Sequence, residues 1–299
     1  MNSQPGLSAS LAIRMLSWPQ YVLPKKLLTR LAWQLSTCRW RWLNQPLIRL
    51  FVQMFQVKLN EAERSDIADY DCFNDFFTRA LKSNARPLAS SDIALISPCD
   101  GTISQLGVVN DGVIIQAKGH SYSATALLGD AAWAEAFRDG QFITIYLAPS
   151  DYHRVHSPIA GRVVGERRIP GQLFSVSDAT ARAIPDLFAR NERMVAMLET
   201  ELGPVAVVMV AALLVSGIET VWGGPEDRRP GSKIETRTAI DATLTRGAEL
   251  GRFHWGSTAI VLTPKDTPLW RESLTPGRRI RLGQALTESD QSKTAQASA

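Results

Sequence analysis

From about Ile93 onward, the chain consists of short Val- and Ile-rich runs set between Gly, Pro and Asp turns. The runs fall at 101–109, 112–117, 141–147, 161–167, 194–198, 205–215 and 258–262. β-Branched stretches of this length, closed by turn residues, predict strands. The run 205–215 is apolar throughout its 11 residues, which predicts a strand, or two, buried on both faces. Only 124–128 and 130–138 read as helices inside this body. A chain of 299 residues is long enough for one large domain or two modest ones around a real core. Its 45% hydrophobic and 21% charged content excludes general disorder.

The leading segment has a different texture. Residues 1–60 carry eight Lys or Arg and no Asp or Glu; the first acid is Glu61. The head is therefore +8 and the remaining 239 residues −4. That is a localised basic surface, not a coat of charge for nucleic acid. The spacing predicts a short helix over 10–18, ended by Pro19. A second helix from Lys25 carries Leu27, Leu28, Leu31, Ala32 and Leu35. A third, with Pro46 in its first turn, carries Leu47, Leu50, Phe51, Met54 and Val57. Four of the eight Trp also lie in this head. Basic, Trp-containing amphipathic helices suit a bilayer interface with anionic head groups. The alternative is that their apolar stripes pack on the body. An acid-free, Arg-containing start also fits a mitochondrial transit peptide. A further helix is expected over 71–82.

No run approaches the roughly 20 apolar residues of a spanning helix. Arg14, Pro19, Pro24, Lys25 and Lys26 interrupt every candidate secretory core. Three widely spaced Cys give neither a disulfide framework nor a zinc pattern, as in a reducing compartment. The expected class is α+β: N-terminal basic amphipathic helices (1–60, membrane-associating), a β-rich, sandwich-like catalytic body (61–285) and a flexible polar tail (286–299).

Three short segments could carry chemistry. His153 and His156 stand just before Pro158, hence at a strand end or loop. Residues three apart on a strand face opposite sides, which disfavours a shared metal and leaves acid–base work or a structural pair. Asp100-Gly101 follows Pro98 at what reads, alone, as an ordinary turn. Ser97-Pro98-Cys99-Asp100-Gly101 and Ser157-Pro158-Ile159-Ala160-Gly161 echo one another, each a tight turn feeding a strand. Gly256-Ser257-Thr258 precedes the apolar 259–262. A Gly-Ser step can be a plain turn, or a strained one in which the hydroxyl attacks its own preceding carbonyl. That reaction needs a base and an acid to orient it.

Taken together with Phe73-Asn74-Asp75-Phe76-Phe77-Thr78-Arg79, Gln116-Ala117-Lys118-Gly119, Pro170-Gly171-Gln172-Leu173-Phe174-Ser175-Val176, Leu187-Phe188-Ala189-Arg190-Asn191-Glu192-Arg193, Ile218-Glu219-Thr220-Val221-Trp222 and Gly251-Arg252-Phe253, these segments make the chain resemble the bacterial, membrane-associated phosphatidylserine decarboxylases, which are made as proenzymes. The resemblance runs from about residue 50 to 285. It implies self-cleavage between Gly256 and Ser257, with Asp100 orienting His156 and His156 deprotonating Ser257. The products would be chains 1–256 and 257–299, the latter starting with a pyruvoyl group made from Ser257. It further implies that this covalent cofactor forms a Schiff base with phosphatidylserine and releases CO2 to give phosphatidylethanolamine. His153 is the candidate proton donor or carboxylate-positioning group. Leu173 and Phe174 are candidates for the lipid entrance. An anionic membrane surface is the expected partner, with the protein peripheral on the cytoplasmic side. No metal and no nucleic acid are expected, and a homodimer stays open. Trp255 stands where the family most often has Leu and is expected to alter packing only. His254 is read as a bystander, and His120 is given no role. Two alternatives remain: a non-catalytic membrane-binding β-domain, and a metal-dependent hydrolase using His153, His156 and Asp100.

Overall fold

The computed structural model describes residues 19–117, 119–213, 217–224, 232–254 and 257–288. The expected helix over 10–18, the Trp255-Gly256 pair and residues 289–299 of the tail lie outside them. The head forms α1 (Pro19–Val22), α2 (Lys25–Ser36) and α3 (Arg41–Phe55). In α2 the apolar stripe points away from the body: Leu27, Leu31 and Leu35 are 55%, 52% and 46% exposed. In α3, Ile48 and Phe51 are buried while Leu50 and Met54 stay exposed. Pro46 does not open α3 as its spacing suggested. The helix starts five residues earlier at Arg41, where the Leu43 and Asn44 amides both donate to the Trp40 carbonyl. Among the described residues no helix is long and apolar enough to cross a membrane.

Residues 71–82 also depart from expectation. Only α4 (Phe73–Phe77) is helical there. Its three Phe side chains are buried with Ile48, Phe51, Val57 and Tyr70 in a small aromatic core separate from the main one. The Thr78 amide and hydroxyl both donate to the Asn74 carbonyl and close the turn. Leu81 then pairs with Ala62 as an antiparallel bridge. Aromatic burial and this bridge override a helical pattern that a short segment cannot sustain alone.

The body is built on β1 (Gly101–Val108), β2 (Val113–Ala117), β3 (His120–Ser123), β4 (Gln141–Leu147), β5 (Arg154–His156), β6 (Gly161–Ile169), β7 (Arg193–Thr200), β8 (Gly203–Val210), β9 (Ile218–Thr220), β10 (Glu235–Arg237), β11 (Thr243–Leu244), β12 (Glu249–Phe253), β13 (Ser257–Thr263) and β14 (Arg279–Ile280). Nine strands form one sheet in the order β10-β6-β7-β8-β13-β4-β1-β14, with β11 also on β6. Its pairings are all antiparallel. Every residue of β13 is buried, between β8 and β4. The apolar run that begins at Val205 becomes β8, which stops at Val210. Three strands, β5-β12-β9, form a second sheet, and β2-β3 a hairpin. Between them lie α5 (Ala124–Leu128), as expected, and α6 (Ala131–Glu135), shorter than expected. After β6 come α7 (Asp178–Ala183) and α8 (Leu187–Arg190).

The two echoed turns occupy matching places. One feeds β1 and the other β6. In each the serine hydroxyl donates two residues on, Ser97 to the Cys99 carbonyl and Ser157 to the Ile159 carbonyl. The turns also bond to each other: the His156 amide donates to the Pro98 carbonyl, and the Ile96 amide to the Pro158 carbonyl. This crossing brings the Asp100 turn and the His156 strand side by side.

Candidate active site

Asp100 ends the first of these turns, and the residue after it must be glycine. A Cβ on Gly101 would lie 2.5 Å from the Tyr146 carbonyl oxygen of the adjoining β4. The Asp100 carboxylate is buried and takes the Arg86 guanidinium (2.9 Å from Nε, 2.5 Å from Nη2) together with the Leu282 amide at 2.9 Å. Arg86 also donates to Glu61 at 2.7 Å, so the chain's first acid joins this network. Arg86 and the Leu282 amide thus fix the carboxylate's orientation.

His156 lies next to that turn. Its Nδ1 is 2.7 Å from the Gly247 carbonyl and its Nε2 3.0 Å from the Tyr152 hydroxyl. A carbonyl only accepts, so Nδ1 carries the hydrogen and Nε2 takes the Tyr152 proton. Gly247 has a φ of +82°, and a Cβ there would meet the Leu88 side chain at 2.7 Å, so only glycine presents its carbonyl in this way. Burial lowers the His156 pKa; the bond to Gly247 and the Asp100 charge pull against it. Asp100 and His156 are thus neighbours coupled by charge. The direct bond implied by the resemblance is replaced by one from Nδ1 to Gly247.

Ser257 opens β13 opposite Leu147 of β4. It is fully buried, and among the described residues its hydroxyl has no hydrogen-bond partner. Gly256, the other half of the expected junction, lies outside the described residues. A buried hydroxyl without a partner is costly, by about 1–3 kcal/mol, and the Thr144, Thr258 and Thr263 hydroxyls of β4 and β13 share that condition.

His153 is fully buried against Phe77, ring centroids 4.1 Å apart and nearly parallel. Its Nε2 faces the Pro149 carbonyl at 3.4 Å, and Nδ1 has no partner. Burial, aided by the Arg79 charge, pushes its pKa down to about 3. The ring therefore enters folding neutral. As pH falls below the ordinary value of 6.5, the unfolded chain takes a proton that the folded one refuses. Stability tied to His153 is present above pH 6.5 and drains away as pH drops toward about 3, by roughly 2 kcal/mol at pH 5. Denaturant midpoints of wild type and His153→Gln compared across that window should converge as pH falls. Parallel curves would contradict a buried neutral ring.

The α4 end holds this histidine segment. Arg79 donates through Nη2 to the Ser150 and Asp151 carbonyls, and Arg154 donates to the Thr78 carbonyl at 2.9 Å. Asp151 in turn accepts from the Ala148 amide and from Arg279.

A cavity of about 340 Å³ adjoins the site. Its wall includes Phe51 and Phe55 of α3, Phe77, Leu147 and Val176. Leu147 is the strand partner of Ser257, and Phe77 is the ring stacked on His153. Leu173 and Phe174 are not in this wall; both are buried, and the loop contributes Ser175 and Val176 instead. Phe174 is covered by the head, with Lys25 Nζ 3.7 Å from its ring centre and the Tyr21 ring tilted against it at 5.1 Å.

The structure therefore gathers Asp100 and His156 by one turn crossing, and sets Ser257 and His153 each beside a residue of one cavity wall, Leu147 and Phe77. His120 lies elsewhere, bonded to the Arg182 carbonyl. Arg79, Arg86 and Tyr152 are site residues that pattern reasoning passed over. Arg79 and Tyr152 each had a signal, the one closing Phe73-Asn74-Asp75-Phe76-Phe77-Thr78-Arg79 and the other standing beside His153, whereas Arg86 had none. Among the described residues no group of three or more His, Cys, Asp or Glu side chains is placed to hold a metal ion.

Residues 73–288 match the family model described as phosphatidylserine decarboxylase, and residues 16–56 match a shorter model described as PSD. A phosphatidylserine decarboxylase proenzyme of Ectopseudomonas mendocina is 49% identical over 272 residues, covering 89% of this chain and 95% of its own. Proenzymes of the same name from Pseudomonas fluorescens and Pseudomonas putida are 47% and 48% identical, over 89% and 90% of this chain and 94% and 96% of theirs.

Proposed function

The chain belongs to the phosphatidylserine decarboxylase family, and from that premise we propose a membrane-surface carboxy-lyase that cuts itself between Gly256 and Ser257 and then converts phosphatidylserine to phosphatidylethanolamine. The observation that carries the reading is the shared wall: one apolar cavity touches the partner of Ser257, the ring that holds His153, and a helix of the exposed head.

In the first reaction His156 Nε2 exchanges its Tyr152 bond for the Ser257 hydroxyl and takes that proton. Nδ1 stays fixed on Gly247, and the nearby Asp100 charge favours the imidazolium that forms. The freed oxygen attacks the Gly256 carbonyl, turning the amide into an ester and releasing the Ser257 nitrogen as an amine. Loss of the Ser257 Cα proton then breaks the Cβ–O bond. Gly256 leaves as a carboxylate, water displaces ammonia, and residue 257 ends as a pyruvoyl group. The burial of Ser257, opposite a Leu147 that lines the apolar cavity, fits that origin.

In the second reaction the pyruvoyl carbonyl supplies an electron sink for the bond that releases CO2. The protein's own part is proton traffic and exclusion of water. His153 Nδ1 offers a buried lone pair, able to take the proton the substrate ammonium must lose and to return it to the carbon left by CO2. Incoming carboxylate and phosphate charges favour the protonated ring for as long as they stay.

The head supplies access. Leu27, Leu31, Leu35, Leu50 and Met54 are exposed on helices that carry basic residues and no acids. That is the distribution of an interfacial helix, so residues 1–60 are read as a membrane platform. The body 61–285 is read as the catalytic unit.

Val176→Trp tests the cavity. It should fill the space, leave self-cleavage intact and lower kcat/KM on dispersed phosphatidylserine by about 10-fold or more, chiefly through KM. Unchanged lipid kinetics with a cut chain would remove the cavity from the account.

A further inference from the structure

His254 is the last described residue before the expected junction, and it is held from three directions. Its Nε2 lies 3.0 Å from Glu219 Oε2 on β9, and its Nδ1 3.0 Å from Asn74 Oδ1 on α4. Trp33 of α2 meets the ring edge-on, centroids 5.4 Å apart at 88°. The backbone is tied as well, the His254 amide donating to the Gly217 carbonyl at 3.1 Å. The side chain is only 6% exposed and that of its Glu219 partner 16%. Both ring nitrogens face oxygen atoms, so the ring is held at both edges. Glu219 responds in kind: the bond from His254 is the largest influence holding its carboxyl below the usual range.

These contacts join α2, α4 and the β9–β12 ladder at one side chain. Glu219 sits opposite Arg252 in the β9–β12 ladder, so it registers the strand that leads to the cut. Asn74 belongs to α4, whose end positions the His153 segment. Trp33 is half-buried on α2, while Leu27, Leu31 and Leu35 of the same helix are exposed. The lipid-facing helix thus reaches the junction through one indole ring.

We infer that His254, clamped by Glu219 and Asn74 and capped by Trp33, is a positioning residue for self-cleavage, so that seating of α2 on the body sets how fast the precursor converts. The inference rests on the proposed cut between Gly256 and Ser257. His254 touches neither reacting atom in this role; it fixes the strand from which the attacked carbonyl extends. Attack on one's own backbone tolerates little misplacement, and a shift of about 1 Å can slow such a step by 10²-fold.

The test follows conversion of newly made full-length chain into chains 1–256 and 257–299 on denaturing gels. His254→Ala should slow conversion by about 10-fold or more. His254→Lys, which returns several N–H donors to Glu219 and Asn74, should recover most of the rate. Glu219→Gln keeps the size and loses the charge, so it guards against simple misfolding and should be slow as well. Trp33→Leu should slow conversion with the catalytic groups untouched. Once cut, His254→Ala chains should turn over phosphatidylserine at the wild-type kcat. Wild-type conversion rates in both His254→Ala and Glu219→Gln would overturn the inference. So would slow conversion that His254→Lys fails to restore. A wild-type chain that never cuts would instead sink the self-cleavage reading, and the two failures are distinguishable on the same gel.

Discussion

Ser257→Ala leaves one chain of 299 residues that never yields the 257–299 fragment and releases no CO2 from phosphatidylserine. Without the hydroxyl nothing can attack the Gly256 carbonyl, and no pyruvoyl precursor exists. The substitution is also structurally mild. Ser257 is fully buried and its hydroxyl makes no hydrogen bond, so Ala removes an unsatisfied polar atom from β13 instead of a contact. Thermal stability should therefore hold or rise while processing and activity vanish together. A cut Ser257→Ala chain would mean that another group makes the break.

The second large effect separates the two reactions. His153→Gln should cut at a rate close to wild type, yet decarboxylate about 10²–10⁴-fold more slowly. His153 sits on Phe77 at the cavity wall, whereas the base proposed for self-cleavage, His156, lies at the turn crossing with Gly247 and Tyr152. Gln can fill much of the volume and still donate to the Pro149 carbonyl, but it cannot cycle a proton. Loss of turnover with normal cleavage is thus specific to proton traffic. Full turnover in the cut His153→Gln protein would exclude His153 from the chemistry.

The strands were legible because their signal is local. β4 matches its apolar run residue for residue, and β1, β6, β7 and β13 fall within two residues of theirs at each end. The histidine pair stands at a strand end or loop by its sequence; in the structure His156 closes β5 and His153 precedes it, one facing Gly247 and the other Phe77. Two local readings failed where tertiary packing decided. The 71–82 pattern looked helical, but three buried Phe rings and the Ala62–Leu81 bridge stop α4 at Phe77. Pro46 looked like a helix start, yet α3 already begins at Arg41.

What could not be read from the chain is how charges pair across it. Nothing distinguishes Arg86 from the other basic residues, yet among the described residues it spans Glu61 and Asp100. Asn74 and His254 are 180 residues apart and meet only because α4 and the β9–β12 ladder converge. His254 reads as a bystander in one dimension because its partners are supplied by three distant elements. Exposure of Leu27, Leu31 and Leu35 is a further such case. Periodicity defines a stripe, and only packing says whether the stripe faces the core or the bilayer.

The central claim is that Ser257 is consumed by the chain's own chemistry, and intact mass of the purified, active protein tests it most directly. The account predicts two chains, 1–256 and 257–299. The short one should carry no free N-terminal amine, and a carbonyl reagent or reductive trapping with phosphatidylserine should add mass to that chain alone. A fully active preparation with a single uncut chain, or a 257–299 chain that begins with an ordinary serine amine, would contradict it.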